Sequence, residues 1–312
     1  MCRKSISSDS RSCEEFYSTT KGNIIVKVFV AKDAGYCFGV RDAVNLAYKT
    51  TEKYGNVFML GDIVHNENVV KDLNESGTKV VQTLDEIPKT EPVLFRAHGT
   101  ATEVWEKAKE KQMNIIDATC PLVREIHDEV IKLEQEGRRI IVIGDHGHDE
   151  VVGITSQIKD SIVIETPEEA EGLRKMKKAG VVSQSTQTIE NVQNIINILM
   201  TKVFDLRFVN TICFPTKRNQ DQIKQLADIC DVMLIIGSFT SANSKRLAQL
   251  SKERNVNSHQ ITSAKDIDSK WFDSATSVGI SAGASTPDNL IEEVVKCVNN
   301  FNTEKGKELI YG

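Results

Sequence analysis

The 312-residue sequence predicts an α/β protein built from three small repeated α/β domains, and three observations carry that prediction. Short apolar runs of strand type alternate with helical stretches along the chain, the pattern of parallel strands joined by crossover helices. Cys37, Cys120 and Cys213 each follow such a run, at residues 24–31, 114–116 and 206–212, and each precedes a helical stretch. A loop that begins at glycine then follows at a constant interval, since 61−37, 144−120 and 237−213 all equal 24.

The interval has a geometric meaning. A helix of about 14 residues at about 1.5 Å each and a strand of about six residues at about 3.3 Å each both span roughly 20 Å. The chain therefore leaves each cysteine on a helix and returns on a strand. Gly61-Asp62, Gly144-Asp145 and Gly237-Ser238 are expected at the same edge as the cysteine of their own unit. That edge is the carboxyl end of parallel strands, where open α/β sheets hold their ligands.

Each unit continues to a further strand and helix. The first runs through Val93-Leu94-Phe95-Arg96-Ala97-His98-Gly99 into a helix over 100–111, and the second through 180–186 into a helix over 188–200. The third runs from Val278 through Ser285-Thr286-Pro287 into a helix over 289–298, with proline at a helix start behind two hydroxyl residues. The expected domains are 23–119, 120–212 and 213–312, with the option that the first strand of the first joins the third. Residues 1–22, Ser-rich and of mixed charge, are expected as a disordered extension.

Composition is that of an ordinary water-soluble chain, 40% hydrophobic and 27% charged. A net charge of −5 with scattered Lys and Arg argues against nucleic acid as the main partner. No apolar run is long enough to span a membrane, and residues 1–22 lack the apolar core of a secretory signal. A cytoplasmic location is expected, and in a reducing compartment seven cysteines imply no disulfide framework.

The cysteines divide into two kinds. Cys2 and Cys13 belong to the extension, Cys230 shares a helical face with Ile223 and Leu226, and Cys297 sits in the apolar last helix, so these four carry no site. The other three, matched across three units, are better read as ligands of one shared group. Structural zinc takes four ligands, commonly in tight C-x-x-C pairs, which are absent here. A 4Fe-4S cluster takes thiolates and, held by three, keeps one iron open to substrate.

The histidines narrow the chemistry. His65, His98 and His148 map to the inner edge together with Ser185, Thr186, Ser241, Asn243 and Ser285, whereas His127 and His259 fall inside or after helices and are expected to be structural or solvated. Such a set of neutral donors and helix N-termini suits a phosphate or diphosphate. Glu150, two residues after His148, is the carboxylate placed to pass a proton into that centre, its proton affinity raised by burial and a negative substrate.

These residues resemble a known family. Ala34-Gly35-Tyr36-Cys37-Phe38-Gly39-Val40-Arg41, Gly61-Asp62-Ile63-Val64-His65-Asn66, Ala97-His98-Gly99, Asp117-Ala118-Thr119-Cys120-Pro121-Leu122-Val123, Gly147-His148 to Glu150, Thr211-Ile212-Cys213 and Ser281-Ala282-Gly283-Ala284-Ser285 look like the LytB/IspH family, the 4-hydroxy-3-methylbut-2-enyl diphosphate reductases. The likeness runs in order from about residue 24 to the last helix. It implies a pseudo-threefold trefoil of three α/β domains around one central 4Fe-4S cluster held by Cys37, Cys120 and Cys213. It implies the last step of the non-mevalonate isoprenoid pathway, in which an allylic diphosphate loses its hydroxyl to two electrons and two protons. By position, His65, His98, Ser241, Asn243 and Ser285 would grip the diphosphate, with His148 close to the substrate and Glu150 delivering protons. Electrons would come from a reduced ferredoxin or flavodoxin.

Several positions depart from the family pattern. Ser185 stands where threonine is typical, Asp149 replaces the proline between His148 and Glu150, Ala242 stands where serine is common, and Arg218-Asn219 reverses the usual order. None removes a ligand or the acid. Two other classes stay open on residues alone: a cluster-bearing redox sensor without turnover, which needs neither Glu150 nor the anion donors, and a zinc phosphohydrolase using His65, His98 and His148, which leaves three aligned cysteines idle.

Overall fold

The computed structural model describes residues 13–16 and 26–308. The chain begins with β1 (Cys13–Phe16), β2 (Lys27–Ala31), α1 (Phe38–Tyr54), β3 (Val57–Leu60), α2 (Glu67–Glu75), β4 (Thr78–Val81), β5 (Pro92–Phe95), α3 (Thr102–Glu110) and β6 (Asn114–Asp117). It continues with α4 (Pro121–Gln135), β7 (Arg139–Ile143), α5 (Asp149–Thr155), β8 (Ser161–Ile164), α6 (Pro167–Gly172), β9 (Met176–Ser183), α7 (Ile189–Lys202) and β10 (Val203–Phe208). Last come α8 (Phe214–Ile229), β11 (Val232–Ile236), α9 (Ala242–Lys252), β12 (Ser258–Ile261), β13 (Ser277–Ala282) and α10 (Asp288–Glu308). The α/β class and the three sheets read from the repeat are present.

Two compact units share the chain: the continuous Cys37–Lys217, and Met1–Tyr36 with Arg218–Gly312. The continuous unit holds two parallel sheets, ordered β4-β3-β5-β6 and β10-β9-β7-β8. Their central strands β3, β5 and β7 are apolar almost throughout (VFML, PVLF, RIIVI) and buried on both faces, as a sheet covered by helices requires. One core gathers Phe58, Leu60, Phe95 and Trp105, and a second packs Ile126, Val130 and Leu133 of α4 against Ile140 and Val142.

The other unit holds a five-stranded sheet, β1-β2-β13-β11-β12, parallel except at β1. Here β2, read from the sequence as the opening of 23–119, pairs with β13 from Ser277↔Lys27 to Ile280↔Val30. Val26 and Val28 thereby enter one core with Val232, Leu234, Val278 and Ile280. Within residues 1–22, expected as a disordered extension, Cys13–Phe16 instead pair antiparallel with β2, covering backbone groups that an edge strand would leave unpaired. The remainder of that extension lies outside the described residues.

The repeat is visible in single hydrogen bonds. Gly61, Gly144 and Gly237 each donate their N–H to the last residue of the neighbouring edge strand, Val81, Ile164 and Ile261. One strand inward, Ala97, Gln184 and Gly283 donate to Ile63, Ile143 and Ile236. Each sheet thus splays its loops at the same point beyond the strand carboxyl ends. No helix among the described residues is long and apolar enough to cross a membrane.

Candidate active site

Each of the three cysteines stands at the head of a helix. Cys37 and Cys120 are the N-cap residues of α1 and α4, and Cys213 immediately precedes α8. Their carbonyls accept the first helical N–H from Arg41, Arg124 and Lys217, a basic residue four positions on in every case. The backbone N–H groups of Gly39 and Val40 face the Cys37 sulfur, and those of Leu122 and Val123 face Cys120. Thr216 offers its N–H and its hydroxyl, 3.0 Å away, to Cys213. Oriented N–H dipoles favour a thiolate, but burial outweighs them here. It raises all three thiols, Cys213 to about 11, while the negative charges of Cys37 and Glu150 push Cys120 and Cys213 further up. The three are free thiols close enough to feel one another.

Those residues fit a metal group with thiolate ligands. A side-chain carbon at Gly39 would collide with Cys120 Sγ, so α1 and the head of α4 approach at a point where only glycine leaves room. Phe38 and Phe214, each following a cysteine, stack with ring centroids 5.7 Å apart.

The histidines come together as the sequence predicted. His65 and His98 stack with centroids 4.4 Å apart, and His148 meets both edge-on at 5.5 and 5.7 Å. They arrive from the loops after β3 and β5 and from the N-cap of α5. Burial drives His98 well below the ordinary imidazole range, assisted by His65, His148 and Arg96. His65 is lowered by burial too, although Asp149 pulls it back up. Both rings are therefore neutral near pH 7, and the buried Nδ1 of His98 has no hydrogen-bond partner.

Glu150 is 1% exposed. Its Oε1 accepts the Ser185 N–H at 2.6 Å and its Oε2 the Ser185 hydroxyl at 2.9 Å. Ser185 in turn accepts the Cys213 N–H through its carbonyl at 3.0 Å, while His148 Nδ1 accepts the Glu150 N–H at 3.1 Å. Residue 150 thus meets His148 through its backbone N–H and Ser185 through its carboxylate, while the Ser185 carbonyl holds the Cys213 backbone, and serine in place of threonine keeps the hydroxyl contact.

Ser241, Asn243 and Ser285 belong to the other unit and are buried at the edge of its sheet. Ser241 caps α9, its hydroxyl accepting the Ser244 N–H, and Asn243 lies in the first turn beside Gly283. Ser244 Oγ is buried there with no partner. Ser281 and Asn219 brace the loop, Ser281 Oγ donating to Asn219 Oδ1 and Asn219 Nδ2 to the Ala282 carbonyl.

The pairing of two residues escaped the sequence reading. Asp149 ion-pairs with Arg96 and comes within 3.7 Å of His65 Nε2. The pair spans 53 positions, so spacing held no trace of it, although Arg96 is the single cation in an otherwise neutral loop. His65, His98 and Asp149 bring ligand atoms within 4.8 Å of one another, a set in which His148 has no part. Arg96 already supplies the positive charge that a divalent ion would bring to that carboxylate, which weakens the zinc reading.

Residues 28–299 match the protein family described as "LytB protein". The chain is 39% identical to a Geobacter metallireducens protein named 4-hydroxy-3-methylbut-2-enyl diphosphate reductase, covering 90% of this chain and 99% of that one. A Geobacter sulfurreducens protein of the same name is 40% identical over the same shares. Among solved structures, the E-1-hydroxy-2-methyl-but-2-enyl-4-diphosphate reductase from Plasmodium falciparum superposes with a TM-score of 0.84 at 27% identity, covering 87% of each chain. A second, titled (E)-4-hydroxy-3-methyl-but-2-enyl diphosphate reductase, the terminal enzyme of the non-mevalonate pathway, gives 0.65 at 36% identity over 88% of this chain and 99% of that one. On a match that spans nearly every described element, the chain belongs to the LytB family.

Proposed function

We infer that this chain is an oxidoreductase, a 4-hydroxy-3-methylbut-2-enyl diphosphate reductase acting at the last step of the non-mevalonate isoprenoid pathway. The observation that carries the site assignment is the position of Glu150. It is buried, bound through both oxygens to Ser185, and within electrostatic reach of Cys120 and Cys213. A redox sensor needs no carboxylate there.

In this reading Cys37, Cys120 and Cys213 hold one 4Fe-4S cluster. When bound, it supplies two electrons, one at a time, and a Lewis-acidic iron for the hydroxyl end of the substrate. The protein's residues do the rest. His65 and His98, neutral and partly dehydrated, donate ring N–H groups to the diphosphate; Ser241, Asn243 and Ser285 are its other donors, and His148 lies close to the substrate. Glu150 and the Ser185 hydroxyl form a short proton path. Two protons and two electrons are consumed: one proton leaves with the hydroxyl as water, the other ends on carbon, and isopentenyl and dimethylallyl diphosphates result. A reduced ferredoxin or flavodoxin is the proposed donor, in a reducing cytoplasm.

The test begins with iron and acid-labile sulfide in protein purified without oxygen, where about four of each per chain are expected. Glu150→Gln should then keep that content and lose roughly 10²- to 10⁴-fold in product formation, the range for a missing general acid. Stoichiometric zinc without sulfide would sink the reading.

A further inference from the structure

The anion site described above receives a substrate with several negative charges through imidazoles that burial keeps neutral. One permanent cation stands among them. The charge of Arg96 acts on both His65 and His98, and its side chain is 26% exposed. It is held by three elements at once: it rises from the end of β5, passes over Gly61 beyond β3, and meets Asp149 in the first turn of α5. Gly61 sits at φ +72°, and a side-chain carbon there would stand 2.7 Å from Arg96 Nη1. That glycine serves the turn and also makes room for the guanidinium.

Asp149 makes the arrangement peculiar. A carboxylate 3.7 Å from His65 Nε2 repels a diphosphate arriving at the same imidazole, unless its charge is compensated. Arg96 compensates it through one nitrogen, Nη1, on one oxygen, Oδ2. A guanidinium carries five N–H donors in a planar fork, so this single bond leaves most of them uncommitted to Asp149. Phosphate oxygens are strong acceptors for that fork and carry more charge than one carboxylate.

We propose that Arg96 is a further diphosphate-binding residue of this chain, held in place by Asp149, and that the substrate competes with that carboxylate for the guanidinium. The inference rests on the reading of His65 and His98 as the diphosphate site. It deepens that reading, since the affinity for the anion is then set by an ion pair rather than by neutral donors alone. Asp149 acts through Arg96 as a positioning residue: it orders a long side chain in advance and also taxes the binding it prepares.

The experiment is a titration of the cluster-loaded protein with inorganic diphosphate, alongside steady-state kinetics without oxygen, for the parent, Arg96→Gln, Asp149→Asn and the double variant. Arg96→Gln should weaken diphosphate binding about tenfold or more and raise KM by a similar factor, with a much smaller fall in kcat. Asp149→Asn should tighten binding by about threefold, and that gain should vanish when Arg96 is already Gln. Arg96→Lys, which keeps charge without the fork, should fall between, with iron content and melting temperature reporting on folding. Diphosphate binding by Arg96→Gln within twofold of the parent overturns the proposal while leaving the histidine site standing. So does an Asp149→Asn change that is the same on both backgrounds, because the pair would then be only a brace. An iron-replete parent that binds no diphosphate overturns the site reading and this inference together.

Discussion

The thiols and the imidazoles of the continuous unit answer the same loss of water in opposite directions. Burial raises Cys37, Cys120 and Cys213 and lowers His65 and His98, so both sets are driven to their uncharged forms. The consequences differ. A thiol must give up its proton before it can hold a metal, so assembly there is coupled to proton release. A neutral imidazole already carries the N–H that an anion requires, so binding needs no change of protonation. On the proposed reading, one set is converted once, when the metal group is bound, and the other is used at every turnover.

Replacing a thiol should break this contrast most completely. Cys120→Ser is expected to lose bound iron and all reductase activity, checked by metal analysis and product assay; a fully active variant would remove Cys120 from the ligand set. The link between the two sets comes next. Ser185→Ala strips the hydroxyl from Glu150 Oε2 and leaves a buried acceptor without that partner, at about 1–3 kcal/mol, so activity should fall roughly 10- to 100-fold with iron retained. Gly39→Ala forces a carbon against Cys120 Sγ and should cut iron retention during purification about tenfold, the scale seen when groups supporting metal ligands are disturbed.

The smallest effect sharpens the imidazole side. His65, His98 and His127 are all held below their ordinary value by burial, so the folded chain binds fewer protons than the unfolded chain once pH falls below about 6.5. Their contribution is complete above that point and is lost as pH drops through it, by at most about 1.4 kcal/mol per pH unit for each ring. The melting temperature should therefore fall between pH of about 7.5 and about 5.5. His127→Gln should shrink that fall, because one buried ring no longer titrates.

Much of the site was legible because it is written in a repeat. The fixed interval from each cysteine to its glycine reflects a helix and strand of matched length, and the threefold set of glycine N–H bonds is the same regularity in the folded chain. The three-histidine cluster followed, since each ring lies just past a strand end that the repeat located. What escaped depends on tertiary partners that no local pattern encodes. Arg96 and Asp149 meet because β5 and α5 bring distant residues side by side. The pairing of Cys13–Phe16 with β2 was hidden in a polar segment whose strand is set by the sheet edge it covers rather than by its own residues.

The place of β2 bears on how the chain is made. Its partner β13 lies some 250 residues downstream, the separation of Lys27 and Ser277, so that sheet cannot close until β13 has been synthesised. The three cysteines all fall within the continuous run Cys37–Lys217, which is synthesised before β13 begins. That run is therefore complete as a chain while β2 still waits for β13, and on the proposed reading assembly of a metal group on the three cysteines has an interval in which to begin before that strand arrives.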